Sequence, residues 1–125
     1  MNNMKQIIFL AAVNGFLVVL LGAFGAHGLE ERLTQARMAT WQTAVQYHMF
    51  HTLALLGIGL ILKACPDMKR LVASAWCLVA GIVLFSGSLY LLAVTAISVL
   101  GFITPFGGVA FLAGWAILAY CMVKE

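Results

Sequence analysis

Charge is what this sequence has least of. Of its 125 residues only 9% are Asp, Glu, Lys or Arg, and the acids are four: Glu30, Glu31, Asp67 and Glu125. Soluble domains carry about 25% charged residues. With 64% of residues hydrophobic and a mean hydropathy of +1.06, the chain has more apolar surface than a water-soluble fold of its length can hide. Its solvent is lipid. The shortage of acids also excludes chemistry. A Ser–His triad needs a third group to orient the histidine, and no carboxylate stands inside an apolar run. Glu30 and Glu31 are adjacent, so on a helix they diverge and make a poor acid–base pair. Without an intramembrane carboxylate or a helix broken at the midplane, one copy offers no transport pathway. The balance points away from an enzyme.

Other absences narrow the classes further. The net charge is only +3, and the basic residues stand at the edges of apolar runs, as membrane-flanking anchors do. That is no nucleic-acid footprint, and no nucleic-acid partner is expected. The three cysteines, Cys65, Cys77 and Cys121, are odd in number and form no CxxC, which argues against a disulfide framework. They read as small buried filler. A glycine-rich nucleotide loop would need a strand-to-helix context and a lysine, and neither accompanies the glycines of this chain.

What the chain does have is long uncharged windows. Residues 6–29, 38–62 and 71–123 contain no Asp, Glu, Lys or Arg. A membrane helix needs about 20 apolar residues. The first two windows therefore hold one span each, and the third holds two. Thr104-Pro105 supplies the restart, with Thr as N-cap and Pro at the first helical position. The expected fold is an all-α, single-domain bundle of four transmembrane helices, near 6–26, 43–63, 71–94 and 104–123. The first span is too long for the apolar core of a cleaved signal, which is about 7–15 residues. Lys5, Lys63, Lys69, Arg70 and Lys124 fall on one side and Arg32 and Arg37 on the other. By the positive-inside rule both termini face the cytoplasm.

Membrane helices associate by close packing and interhelical hydrogen bonds, because lipid tails are as apolar as leucine. Small residues mark the faces that do so. Ala11, Gly15, Gly22 and Ala26 share one face of the first helix, with Gly25 beside them, and Gly28 is placed to end that helix. Ser74, Gly81 and Ser88 recur every seven residues in the third helix, as do Gly107 and Gly114 in the fourth. Such spacing keeps one seam toward a partner in a left-handed bundle. Between the first two spans, LEERLTQARMATW reads as a short amphipathic segment in the outer interface, with Trp41 as an anchor.

The polar residues gather on one side of this threading. His27 stands at the outer end of helix one. His48 and His51 lie roughly 8 and 12 Å below the outer end of helix two. Ser86, Ser88, Tyr90 and Thr104 fall in the same outer half. Intramembrane histidines are costly and face a bundle interior or a cavity. Three readings stand open for them. They are interhelical hydrogen bonds, a metal or haem site drawing on imidazole, or proton handling.

GAFGAHGLE, QYHMFHTLALL, FSGSLYLLA and TPFGGVAFLAGW, in that order along nearly the whole chain, resemble the YgdD family of small bacterial inner-membrane proteins. The resemblance implies a polytopic plasma-membrane protein and brings no reaction or cofactor. It marks Gly22, Gly25, Ala26, His27, His51, Ser86, Gly87, Ser88, Tyr90, Thr104, Pro105, Gly107, Gly108 and Gly114. In the family pattern the place of His48 also takes other polar residues, which leaves His27 and His51 as the candidate metal pair. Two functions are carried forward. The first is a non-enzymatic accessory or membrane-organising protein that packs against a second copy or another membrane protein. The second is a metal, haem or small-ligand binder.

Overall fold

A computed structural model describes residues 1–124. Among them every long element is helical. The helix α1 (Asn3–Phe24) begins where the Asn2 side chain accepts from the Lys5 N–H, and it continues as a π-helical turn over Gly25–Leu29. The helix α2 (Gln35–Ala64) follows after a short turn. The third rod is α3 (Arg70–Gly81), a second π-helical turn over Ile82–Ser86, and α4 (Gly87–Thr95). A 3₁₀ turn over Ser98–Phe102 leads into α5 (Thr104–Lys124). This makes four apolar spans of 26 to 30 residues. At 1.5 Å per residue each reaches roughly 40 Å, enough to cross a hydrocarbon core of about 30 Å.

The rods run up and down in sequence. α1 packs along α2, α2 packs against α3 and α4, and α3 with the π turn that follows it packs along α5. α1 buries only Ile7, Ala11 and Val18 of its apolar residues, a stripe one side chain wide. The main core joins Ile7 and Ala11 to Leu55, Ile58, Leu71, Leu78, Phe111 and Cys121. A smaller cluster at the other end holds Leu29, Trp41 and Ala93. Large side chains such as Phe16 (71% exposed) and Leu112 (71%) point outward, as they must where the surroundings are lipid rather than water.

Three local expectations change. The outer segment 29–41 does not form a helix of its own. Thr34 is extended and its hydroxyl accepts from the Arg37 N–H, so the residues from Gln35 onward join α2 and lengthen it by eight residues. Helix one does not stop at Gly28 in a left-handed cap, since no glycine has positive φ. It runs on to Leu29, whose carbonyl accepts from the Arg32 and Leu33 N–H groups. Thr104 is the first residue of α5 rather than its cap, and its hydroxyl lies 2.6 Å from Ser88 Oγ.

Both π turns fall where another element presses in. At the first, Trp41 Nε1–H donates to the Leu21 carbonyl at 3.1 Å. A Cβ on Gly25 would stand 2.6 Å from Trp41 Cδ1, so the absent side chain is what admits the indole. At the second, a Cβ on Gly107 would stand 2.7 Å from both Cα and Cβ of Phe85. Here backbone meets backbone. The α3–α5 seam continues below this point, where the Ser74 hydroxyl donates to the Gly114 carbonyl at 2.7 Å and Gly81 faces the Phe111 ring.

Candidate functional site: a hydrogen-bonded polar interior

Because α2 starts at Gln35, His48 and His51 are its fourteenth and seventeenth residues of thirty, near the middle of the rod rather than close under its outer end. Both are buried, at 3% exposure each. They lie three residues apart on one helix but face different neighbours.

His48 joins three rods. Its Nε2 is 2.9 Å from Asn14 Oδ1 on α1, and its Nδ1 is 2.8 Å from the Tyr90 hydroxyl on α4. The amide orientation of Asn14 is fixed, because its Nδ2 donates to the Leu10 carbonyl at 2.8 Å. Oδ1 can only accept, so Nε2 carries the hydrogen, and Nδ1 of the neutral ring accepts from Tyr90. Tyr90 in turn packs on Trp41, with ring centroids 4.7 Å apart.

His51 takes the other tautomer. Its Nδ1 is 2.8 Å from the Tyr47 carbonyl, which can only accept, so Nδ1 donates. Its Nε2 then accepts from the Trp115 Nε1–H of α5 at 3.1 Å. The ring stacks on Phe111, with centroids 3.5 Å apart and planes 8° from parallel. α2 and α5 are thus bridged by side chains. An open groove of about 490 Å³ lies above this bridge, walled by Tyr47, Phe85 and Leu112 among others.

The hydroxyls close the remaining gaps. Ser86 Oγ donates to the Ala44 carbonyl at 2.9 Å, tying α2 to the second π turn. Ser88 Oγ donates to the Phe85 carbonyl at 2.9 Å, and Thr104 donates to Ser88. At the end of the bundle away from the termini, Arg37 Nε and Nη2 donate to the carbonyls of Ala93 and Val94 at 2.7 and 2.8 Å. These are last-turn carbonyls of α4, which ends at Ala96 in the left-handed conformation (φ 58°). A cation there satisfies acceptors without helical partners and opposes the negative end of the helix dipole.

The seven polar candidates therefore divide. His48 and Tyr90 meet directly, Ser88 and Thr104 meet directly, and Ser86 and His51 each serve a separate contact. His27 joins none of these: it is exposed on the first π turn, without a hydrogen bond or ring contact among the described residues. Thr52 lies at the level of Gly15 and Trp41 at the level of Gly25. The level of His27 is thus about 12 residues, or roughly 18 Å, from that of His51, which in addition faces α5. The structure does not bring the two together, and no group of three His, Cys, Asp or Glu among the described residues is placed to hold a metal.

The packing residues divide as well. Gly25, Gly81, Gly107 and Gly114 are buried against their own chain. Gly15 and Gly22 make only ordinary contacts with Thr52 and Val45, and Ala26 is exposed. The sequence reading passed over Asn14 and Gly59 and took Arg37 only as a flanking charge. Asn14 had a signal, as the only polar side chain between Ile7 and Ala26. Gly59, packed on Ile8, had none beyond its size.

Chemically the arrangement is closed. All four ring nitrogens of His48 and His51 are engaged, and a ligand would have to displace a bond between helices to reach any of them. The Tyr90–His48–Asn14 line ends on the Leu10 main-chain carbonyl, which cannot pass a proton on. What this interior does is hold four rods in register. Interhelical hydrogen bonds in a membrane average about 0.6 kcal/mol each, so the set contributes a few kcal/mol in all.

Four apolar rods around a satisfied polar interior define a multi-pass, all-helical integral membrane protein. A profile of the family described as "Protein of unknown function (DUF423)" matches residues 21–108. The UPF0382 membrane protein YwdK of Bacillus subtilis is 48% identical over 121 residues, covering 97% of this chain and 98% of the relative. The UPF0382 membrane protein of Haemophilus influenzae is 48% identical over 122 residues, covering 97% and 96%. The UPF0382 inner membrane protein YgdD of Escherichia coli is 44% identical over 114 residues, covering 91% and 86%. The chain belongs to this family. No solved structure matches it.

Proposed function

We propose that the chain is a non-enzymatic accessory protein of the bacterial inner membrane, with both termini in the cytoplasm, that works by packing the outer face of α1 against a helix of another membrane protein. One observation carries the reading: no buried side-chain polar atom among the described residues lacks a hydrogen-bond partner. An interior so completed stabilises one arrangement and holds no group in reserve for a substrate. The tight glycine seams are spent within the chain, so an outside contact falls to a surface that is still uncovered. α1 offers one, a stripe of Phe9, Val13, Phe16, Leu20 and Phe24 at helical spacing, all exposed. The orientation is supported by five Lys or Arg at one end of the bundle against two at the other, one of which, Arg37, is bound to the α4 carbonyls.

The test is photo-crosslinking in the native membrane from a reactive residue replacing Phe16, with replacement of Phe111 as the buried control. A discrete adduct from position 16 and none from 111 is expected. An adduct of twice the chain's mass would make the partner a second copy. No discrete adduct from position 16, or a near-stoichiometric metal or haem in the purified protein that His51→Ala abolishes, would overturn the reading.

A further inference from the structure

Where α1 starts, α2 ends and α3 begins, the chain forms an open-mouthed pocket of about 580 Å³. Its mouth carries Asn2, Asn3, Lys63 and Lys69, all exposed, and its floor is Leu62, Met4 and Val72, buried or half-buried. Neither ammonium has an ion-pair or hydrogen-bond partner among the described residues. Asp67, the one acid in the connecting turn, bonds to neither ammonium; its main-chain carbonyl accepts from the Lys69 N–H. The same end of the bundle carries Lys5 and Lys124 as well, so the field at the mouth stays positive with Asp67 counted against it.

The geometry points to a binding site for an anionic phospholipid, its phosphodiester between Lys63 and Lys69 and the first part of an acyl chain along Leu62, Met4 and Val72. Three features favour this occupant. The two ammoniums are compact point charges suited to phosphate oxygens. They sit at the ends of membrane-spanning rods, the depth at which lipid headgroups lie, and basic pockets between helices at that level take anionic headgroups. The floor is apolar, which a small hydrated anion would not use but a lipid chain does. The Asn2 side chain accepts from the Lys5 N–H through Oδ1 at 2.8 Å, so its amide N–H₂ is left to donate to the phosphate.

The experiment uses the full chain in a mild non-ionic detergent and follows its thermal unfolding midpoint by circular dichroism. It is titrated with dihexanoyl phosphatidylglycerol, with dihexanoyl phosphatidylcholine and with inorganic phosphate. A saturable rise in the midpoint with phosphatidylglycerol alone is expected, since a ligand that binds only the folded state stabilises it. The pair Lys63→Gln/Lys69→Gln, both at exposed positions, should retain wild-type helicity and raise the half-saturating concentration about twenty-five-fold, at about fivefold per lysine near a membrane surface. Lys63→Arg/Lys69→Arg should restore most of it, and Lys124→Gln, outside the pocket, should change it by less than about twofold. Equal response to phosphatidylcholine, whose choline cancels the phosphodiester charge, would show that the site does not select a net anionic headgroup. Equal response to inorganic phosphate would make this a site for a free anion. Loss in Lys124→Gln as large as in the pocket pair would make the binding a diffuse field. Each of these results overturns the proposal.

Discussion

Gly107 and Gly108 are neighbours on α5, yet replacing each by alanine should have opposite results. A Cβ at position 107 would stand 2.7 Å from Phe85 Cα and Cβ, whereas one at 108 meets nothing within 4 Å. Carbon atoms rest at about 3.5–4.0 Å, so α5 and the second π turn would have to separate by roughly 1 Å. Main chain cannot rotate aside as a flexible side chain can. The separation would also stretch the 2.6 Å bond between Thr104 and Ser88, which spans the same two rods. Overpacking a filled interior costs about 1–3 kcal/mol, and with a rigid neighbour and a hydrogen bond at stake Gly107→Ala belongs at the upper end, about 3 kcal/mol. Gly108→Ala removes the helix penalty of glycine, up to about 1 kcal/mol, without a clash. Equilibrium unfolding of both variants in mixed micelles of sodium dodecyl sulfate and a mild detergent reads the difference. If the two variants unfold within 0.5 kcal/mol of each other, a margin of about the scatter between independent surface changes, the close approach of α5 to Phe85 does not govern this interface.

Three further outcomes are open to measurement. A double-mutant cycle on Asn14→Ala and His48→Ala should give a coupling between about 0.6 and 1.7 kcal/mol, the average and maximum found between membrane helices; strict additivity would remove the bond between Nε2 and Asn14. Arg37→Gln should cost about 1–2 kcal/mol and raise amide exchange around Ala93–Ala96, because charged donors leave the end of α4, and Arg37→Lys should recover only part, since an ammonium lacks the planar fork that reaches two carbonyls. Cys65 is exposed in the α2–α3 turn while Cys121 is buried, so a membrane-impermeant maleimide should label Cys65 in inverted vesicles and not in intact cells; the reverse pattern would turn the protein over.

The spans were legible because lipid imposes a blunt requirement, about 20 apolar residues in a row, and the uncharged windows meet it. The Ser74–Gly81–Ser88 repeat is visible in the sequence as a seam, and in space those residues meet Gly114, Phe111 and Thr104 of α5. The start of α2 was not legible in the same way. Residues 35–42 are polar and charged enough to look like a loop, and only the Thr34 hydroxyl, accepting from the Arg37 N–H, shows where the helix begins. That error placed the histidines too near the outer end and suggested that they converge on His27. Which partner each histidine chooses depends on side-chain direction across three rods, and spacing within one helix carries none of that information. Asn14 could have been found, since a lone amide inside a span calls for a partner on another helix.

The second π turn has a consequence for how the third span is addressed by its neighbours. Such a turn is an α-helix that has swallowed one extra residue. Everything beyond Ser86 is therefore turned by about 100° relative to an uninterrupted helix. Below the turn the rod gives α5 the small side of Ser74 and Gly81 and meets α2 through apolar side chains alone, Leu71 and Leu78 against Leu55 and Ile58. Above it the same rod reaches both ways, with Ser88 toward Thr104 and Tyr90 toward His48. Deleting a single residue between Ile82 and Ser86 would leave a span just as long, just as apolar and more regularly helical, with its upper half dialled to the wrong neighbours.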